Sequence, residues 1–258
     1  MKTATVTILG SGTSQGVPVI GCTCDTCKSN DSLDKRLRSS ILIESAEATI
    51  VVDTGPDFRQ QMLREEVKKL DAVLITHCHK DHIAGMDDVR SFNFLQKKPM
   101  PIYASPADQL AIKQEFAYAF GENKYPGVPA LKLIDLNCNS FIIKDIKLIP
   151  IIVMHRYMPV YAFRIGNFAY ITDANYIPEP GLNTLQGIEL LVIDAVRKEK
   201  HISHFSLSEA VEMAQKIGVK RCWFTHISHL MGKTADVNPS LPSGMQLAWD
   251  GQKIEIGY

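Results

Sequence analysis

Seven consecutive residues, Thr76-His77-Cys78-His79-Lys80-Asp81-His82, constrain this chain more than any other stretch. Three imidazoles and a carboxylate crowd into a segment that follows the apolar run Val73-Leu74-Ile75. A loop at a strand end can turn several side chains toward one point. Neutral imidazole and carboxylate are good ligands for zinc and similar divalent ions. The bland alternative is a polar loop that happens to hold three histidines. The whole chain has only eight, so three within six residues is a concentration that its composition does not supply.

Other polar residues follow apolar runs in the same way. Asp53 ends Val51-Val52-Asp53, His155 follows Ile146–Met154, Asp173 ends Ala169-Tyr170-Ile171-Thr172-Asp173, and His226 follows Arg221–Thr225. Asp194 ends Leu191-Val192-Ile193-Asp194. A sheet would deliver such residues to a common edge. The runs predict strands at Thr3–Leu9, Ser40–Glu44, Thr49–Asp53, Ala72–Ile75, Pro101–Tyr103, Ile146–Val153, Tyr161–Ile165, Phe168–Thr172, Leu190–Ile193, Arg221–Phe224 and Lys253–Ile256. Hairpin turns are expected at Ser45–Glu47 and at Gly166-Asn167. Helices are expected at Asp57–Glu66, Pro106–Phe120 and Ser206–Ile217. The last has a Ser206/Glu209 capping box and an apolar face of Leu207, Ala210, Val211, Ala214 and Ile217. Early hairpins followed by mixed strands and helices suggest two sheets flanked by helices in one domain, with no internal repeat visible.

Composition narrows the partners. With 258 residues, 45% of them hydrophobic, the chain can bury a large core. Its 28 basic and 28 acidic residues cancel, which argues against a broad basic surface for long nucleic acids. The start, Met1–Leu9, has one Lys and an apolar flavour, but Thr3, Thr5 and Thr7 alternate with Ala4, Val6 and Ile8 as in a strand. No run reaches the roughly 18 apolar residues of a membrane span, and a cytoplasmic location is expected. Of the six cysteines, Cys22, Cys24 and Cys27 cluster, whereas Cys78, Cys138 and Cys222 are scattered. Clustered thiols in such a protein point to metal rather than to a disulfide framework, and a closed zinc site needs a fourth ligand.

The His-x-His-x-Asp-His segment, with Asp53, His155, Asp173 and His226 in order around it, resembles the signature of the metallo-β-lactamase superfamily over nearly the whole chain. The resemblance implies an α/β (α+β) fold: a four-layer αββα sandwich in a single domain over residues 1–258. It implies two divalent ions, zinc or manganese. His77, His79 and His155 would bind one, Asp81, His82 and His226 the other, and Asp173 would bridge them. Asp53 would orient a ligand, and Asp194 would do the same or simply cap its strand. Held this way, the ions would activate water for hydrolysis.

Within the superfamily, Cys22-x-Cys24-x-x-Cys27, behind Gly10-Ser11-Gly12-Thr13-Ser14-Gln15-Gly16-Val17-Pro18, resembles the PhnP-type phosphodiesterases. This implies that Thr225-His226-Ile227-Ser228-His229 supplies the fourth ligand, His229, to a structural zinc at the 22–27 loop. It also implies that His204 is the general acid, acting with Asp81 and Asp173, on small cyclic nucleotide or sugar phosphodiesters, and that the protein is a homodimer. His201 lies beside Lys198-Glu199-Lys200 and is expected at a solvated surface. Arg90, in Asp87-Asp88-Val89-Arg90, offers either a clamp for a substrate phosphate or a structural ion pair. The turn at Gly10–Gly16 offers backbone N–H groups.

Three alternative functions compete with this one. A ribonuclease maturing tRNA 3′ ends shares the Gly-Thr-Ser segment, but it would carry a basic arm that is missing here. A β-lactamase or thioesterase leaves the cysteines and His204 unexplained. A non-catalytic accessory protein of cofactor biosynthesis can lack metal ligands, and here the ligand set is complete.

Overall fold

Nearly continuous apolar runs form strands that are buried on both faces. In β3 (Thr49–Val52) and β4 (Ala72–Leu74), Ile50, Val52, Ala72 and Leu74 face one core, and Val51 and Val73 face another. The computed structural model describes residues 2–122 and 125–258. The remaining strands are β1 (Thr3–Gly10), β2 (Ser40–Glu44), β5 (Met100–Ala104), β6 (Leu131–Asp135), β7 (Phe141–Ile143), β8 (Ile146–His155), β9 (Met158–Ile165), β10 (Phe168–Ile171), β11 (Leu190–Asp194), β12 (Arg221–Thr225), β13 (Met245–Leu247) and β14 (Lys253–Gly257).

They make two seven-stranded sheets, β14-β1-β2-β3-β4-β5-β6 and β13-β12-β11-β10-β9-β8-β7. Residues of both sheets, among them Ile43, Ile50, Phe163, Phe168, Tyr170 and Val192, share the central core. Outside the first sheet, Phe58, Met62, Phe92 and Ile112 of three helices cover its outer face. Outside the second, Leu182 of the helix Glu179–Thr184 and Ala210, Ala214 and Ile217 of the helix Leu207–Ile217 do the same. The result is the expected four-layer αββα sandwich.

The two sheets repeat one pattern of strand directions, although no repeat is visible in the sequence. From β14 to β3 and from β7 to β10 every neighbour is antiparallel; from β3 to β6 and from β10 to β13 every neighbour is parallel. The repeat is one of topology, not of residues, so the sequence hides it.

Both predicted hairpins form: β2 pairs with β3, and β9 with β10. In the capping box the Ser206 N–H donates to the Glu209 carboxylate at 2.9 Å. The predicted helix at 106–120 is instead two, Pro106–Glu115 and Ala117–Phe120, broken where Phe116 leaves helical geometry. Strands β6, β7 and β13 and the helices Arg90–Gln96 and Glu179–Thr184 were not anticipated. They are short, and several lie at sheet edges where periodicity has little length in which to show. No helix of the described residues is long and apolar enough to cross a membrane.

Candidate active site

The residues singled out by their place after apolar runs meet at one end of the sandwich, where strands of both sheets end. Asp53, Asp173 and His226 leave β3, β10 and β12 with φ of 66°, 53° and 55°. The left-handed region turns the chain sharply off the strand, and Asp tolerates it better than most residues. Gly55 lets the first of these loops close: a Cβ there would lie 2.1 Å from the Asp81 carbonyl oxygen.

Hydrogen bonds set the imidazoles. His82 Nδ1 lies 2.7 Å from Asp53 Oδ2, and Asp53 also accepts from the Thr76 N–H and hydroxyl at 2.9 Å each. His77 Nδ1 lies 3.0 Å from Thr76 Oγ1. His155 Nδ1 donates to the Ser203 carbonyl at 2.8 Å. The other nitrogens of the buried rings turn inward. His77 Nε2, His82 Nε2 and His226 Nδ1 have no hydrogen-bond partner among the described residues. They lie 3.8, 3.3 and 3.0 Å from oxygens of Asp173, and His82 Nε2 is also 3.2 Å from Asp81 Oδ2.

A buried imidazole nitrogen left unpaired is costly, so several of them converging on one carboxylate call for a partner. Lone pairs on nitrogen and oxygen, with ring orientation fixed from behind, suit a divalent ion. Ligand atoms of Asp81, His82, Asp173 and His226 all lie within 4.8 Å of one another, as do those of His77, His79 and Asp173. His155 falls within that distance of Asp173 and His204. Its ring stands 5.9 Å from that of His77 and 5.4 Å from that of His79.

The electrostatics follow from burial and crowding. Burial opposes ionisation of Asp173, but the surrounding His226, His82 and His77 outweigh it and hold the carboxyl well below its ordinary range. Burial and the neighbouring His82 push His77 far down, and burial takes His226 down to about 4. Both shifts favour the neutral ring, the form that ligates metal. For His82, burial is outweighed by Asp173 and Asp53, which raise it.

His204 lies at the edge of this cluster. Its ring is 4.6 Å from that of His155, 4.8 Å from that of His226 and 5.0 Å from that of His201. His204 Nδ1 sits 3.6 Å from Asp194 Oδ2, an ion contact too long for a hydrogen bond. Burial lowers the affinity of His204 for a proton, but Asp194 and Asp173 outweigh it and raise its pKa. Asp194, driven up to about 6 by burial, also accepts from the backbone of Ala174 and Phe205, so it braces both strand-end loops.

The cysteines form a second cluster. Ligand atoms of Cys22, Cys24, Cys27 and His229 lie within 4.8 Å of one another. His229 Nδ1 is 3.3 Å from the Sγ atoms of both Cys22 and Cys24. The Cys27 N–H and then His229 draw the Cys24 thiol down to about 6, whereas burial pushes Cys27 up to about 11. Three thiols and an imidazole at this spacing match a closed tetrahedral site.

Two minor suggestions fare differently. Arg90 pairs with Asp87 at 3.2 Å, and Asp87 in turn accepts from Tyr118. The N–H groups of Ser11, Gly12, Thr13 and Gly16 are spent on Asp250, Leu37, Ile227 and Thr13, which removes most of the anion-binding capacity of the Gly10–Gly16 turn. Sequence reasoning missed the Ser203 carbonyl and Asn175, whose Oδ1 accepts the Arg156 N–H at 2.7 Å. A backbone acceptor and a lone amide carry no motif.

Comparison with known proteins agrees with this architecture. Residues 48–227 match the Beta-lactamase superfamily domain. A crystal structure described as a new diphosphatase from the PhnP family is 39% identical, with a TM-score of 0.93 over 98% of this chain and 97% of that one. An octanoyltransferase of Porphyromonas gingivalis is 36% identical over 252 residues. That match covers 96% of this chain but 51% of the relative, so the chain spans about half of that protein's length. A probable metallo-hydrolase, YhfI of Bacillus subtilis, is 25% identical over 228 residues, 83% of this chain and 87% of that protein.

Proposed function

Because the chain belongs to the metallo-β-lactamase superfamily, we propose that it is a two-metal hydrolase of small phosphodiesters. The observation that carries this reading is the position of His204, a titratable ring backed by Asp194 beside the ligand cluster. A phosphodiester with a poor leaving group needs such a donor. His77, His79 and His155 would hold one ion, Asp81, His82 and His226 the second, and Asp173 both. Zinc or manganese would fit these nitrogen and oxygen donors. When bound, such ions lower the pKa of water and offset charge on a phosphoryl oxygen.

The rest falls to the protein. Asp53 keeps His82 Nε2 free by holding Nδ1, and the Ser203 carbonyl does the same for His155. Asp194 favours the protonated form of His204 near the cluster, from which a proton would go to the departing oxygen. The diphosphatase description of the 39%-identical structure favours a second reading within this class, in which the departing group is itself a phosphate. The zero net charge counts against long RNA.

A substrate panel tests the reading. The protein loaded with zinc or manganese should hydrolyse bis-p-nitrophenyl phosphate, a cyclic nucleotide or a dinucleoside diphosphate faster than a β-lactam or a thioester. Robust thioester cleavage with no phosphodiester cleavage would reverse it, and efficient cleavage of precursor tRNA would favour the ribonuclease.

The cysteine cluster would hold a structural zinc, giving three ions per chain in a metal-replete sample by elemental analysis. Cys24→Ser should lose one zinc and lower Tm markedly, because binding energy at a closed site is folding energy. A fully stable but inactive Cys24→Ser protein would show that the cluster serves catalysis instead.

A further inference from the structure

Beside the metal ligands lies a cavity of about 350 Å³, whose walls include His79, His155, Ser203, Ile202 and the residues Arg156 and Tyr157 at the turn joining β8 to β9. That volume is at the scale of a small-ligand site. Tyr157 is 83% exposed and Ile202 71%, so two large apolar surfaces stand in water at the mouth of a polar centre.

The turn is built, not loose. Arg156 takes a left-handed φ of 59°, and its N–H is held by Asn175 Oδ1 at 2.7 Å. Asn175 follows Asp173 by two residues, and its own N–H donates to the Met154 carbonyl at 2.9 Å. The Arg156 guanidinium carbon sits 5.0 Å from the centre of the Tyr157 ring. A guanidinium against one face steadies the ring and leaves its other face for a second planar partner.

We propose that the Arg156–Tyr157 turn is a stacking platform that binds a nucleobase on the departing half of the substrate. The side is set by Ser203 in the cavity wall, the residue immediately before His204. A group receiving its proton from His204 emerges along that wall. The platform rests on the phosphodiesterase reading for its place in the reaction, and its binding chemistry stands apart from turnover.

The test is a calorimetric titration of metal-loaded protein with adenosine 5′-monophosphate and with ribose 5-phosphate, which share a phosphate and a sugar. Base stacking predicts that the nucleotide binds more tightly, by roughly 5- to 150-fold. Tyr157→Ala, at an exposed position outside the core, should abolish that preference, and Tyr157→Phe should keep it. Equal affinities in the wild type, or a preference that survives Tyr157→Ala, overturns the platform. Preference for the nucleotide without hydrolysis of any phosphodiester would defeat the proposed reaction and leave the platform standing. Hydrolysis without preference would do the reverse.

Discussion

Asp173→Ala should reduce phosphodiester turnover by roughly 10³-fold or more, since the electrostatic help of a two-ion site is worth several kcal/mol. Asp173 is the carboxylate on which the inward nitrogens of His77, His82 and His226 converge. Without it, Asp81 beside His82 is the carboxylate left among those rings, and two ions would repel without a bridge. The cysteine cluster does not involve it. Elemental analysis should therefore find active-site metal lost and one zinc kept, with circular dichroism close to wild type. Asp53→Asn offers the contrast. It keeps the shape but weakens the hold on His82 Nδ1, and a loss of about 10–100-fold is expected for such a supporting residue. If Asp173→Ala kept both active-site metal and turnover, the bridging role would be wrong.

The second large effect depends on the leaving group. A p-nitrophenolate departs readily without a proton, whereas a sugar alkoxide does not. His204→Ala should cut hydrolysis of alkyl or ribosyl phosphodiesters by roughly 10²–10⁴-fold and affect p-nitrophenyl esters far less. His201→Ala should disturb neither strongly, because His201 is farther from the ligands, and its Nδ1 faces Ser203 at 3.4 Å. Equal losses on both leaving groups would make His204 a phosphate-positioning residue. A leaving-group-dependent loss in His201→Ala would move the acid there.

Much of this was legible in the sequence, because strands buried on both faces write themselves as apolar runs and the residue after each run is free to be polar. That is why Asp53, Asp173, Asp194 and His226 stand out before any coordinates are known. His229 stood out as a fourth ligand only through the resemblance. Edge strands such as β7 bury little and have no second period in which to show themselves. The break at Phe116 follows tertiary packing against the first sheet, which local propensity does not encode. Arg90 was ambiguous because a guanidinium suits either a phosphate or the acid three residues before it. The Arg156–Tyr157 turn gave no signal, since two exposed residues of a hairpin look like any loop.

The matched strand order of the two sheets gives the centre a further property. Asp53 and Asp173 leave corresponding strands, β3 and β10, at the point where each sheet changes from antiparallel to parallel. One carboxylate is spent on holding His82, and the other faces the ligands. Asp81 and His82 come from the first half of the chain, and Asp173 and His226 from the second. The centre is thus an interface within a single polypeptide, laid out like the contact between two subunits. Neither half completes a ligand set alone, so the distance between the ions would be governed by how the sheets seat on Phe163, Phe168 and Tyr170.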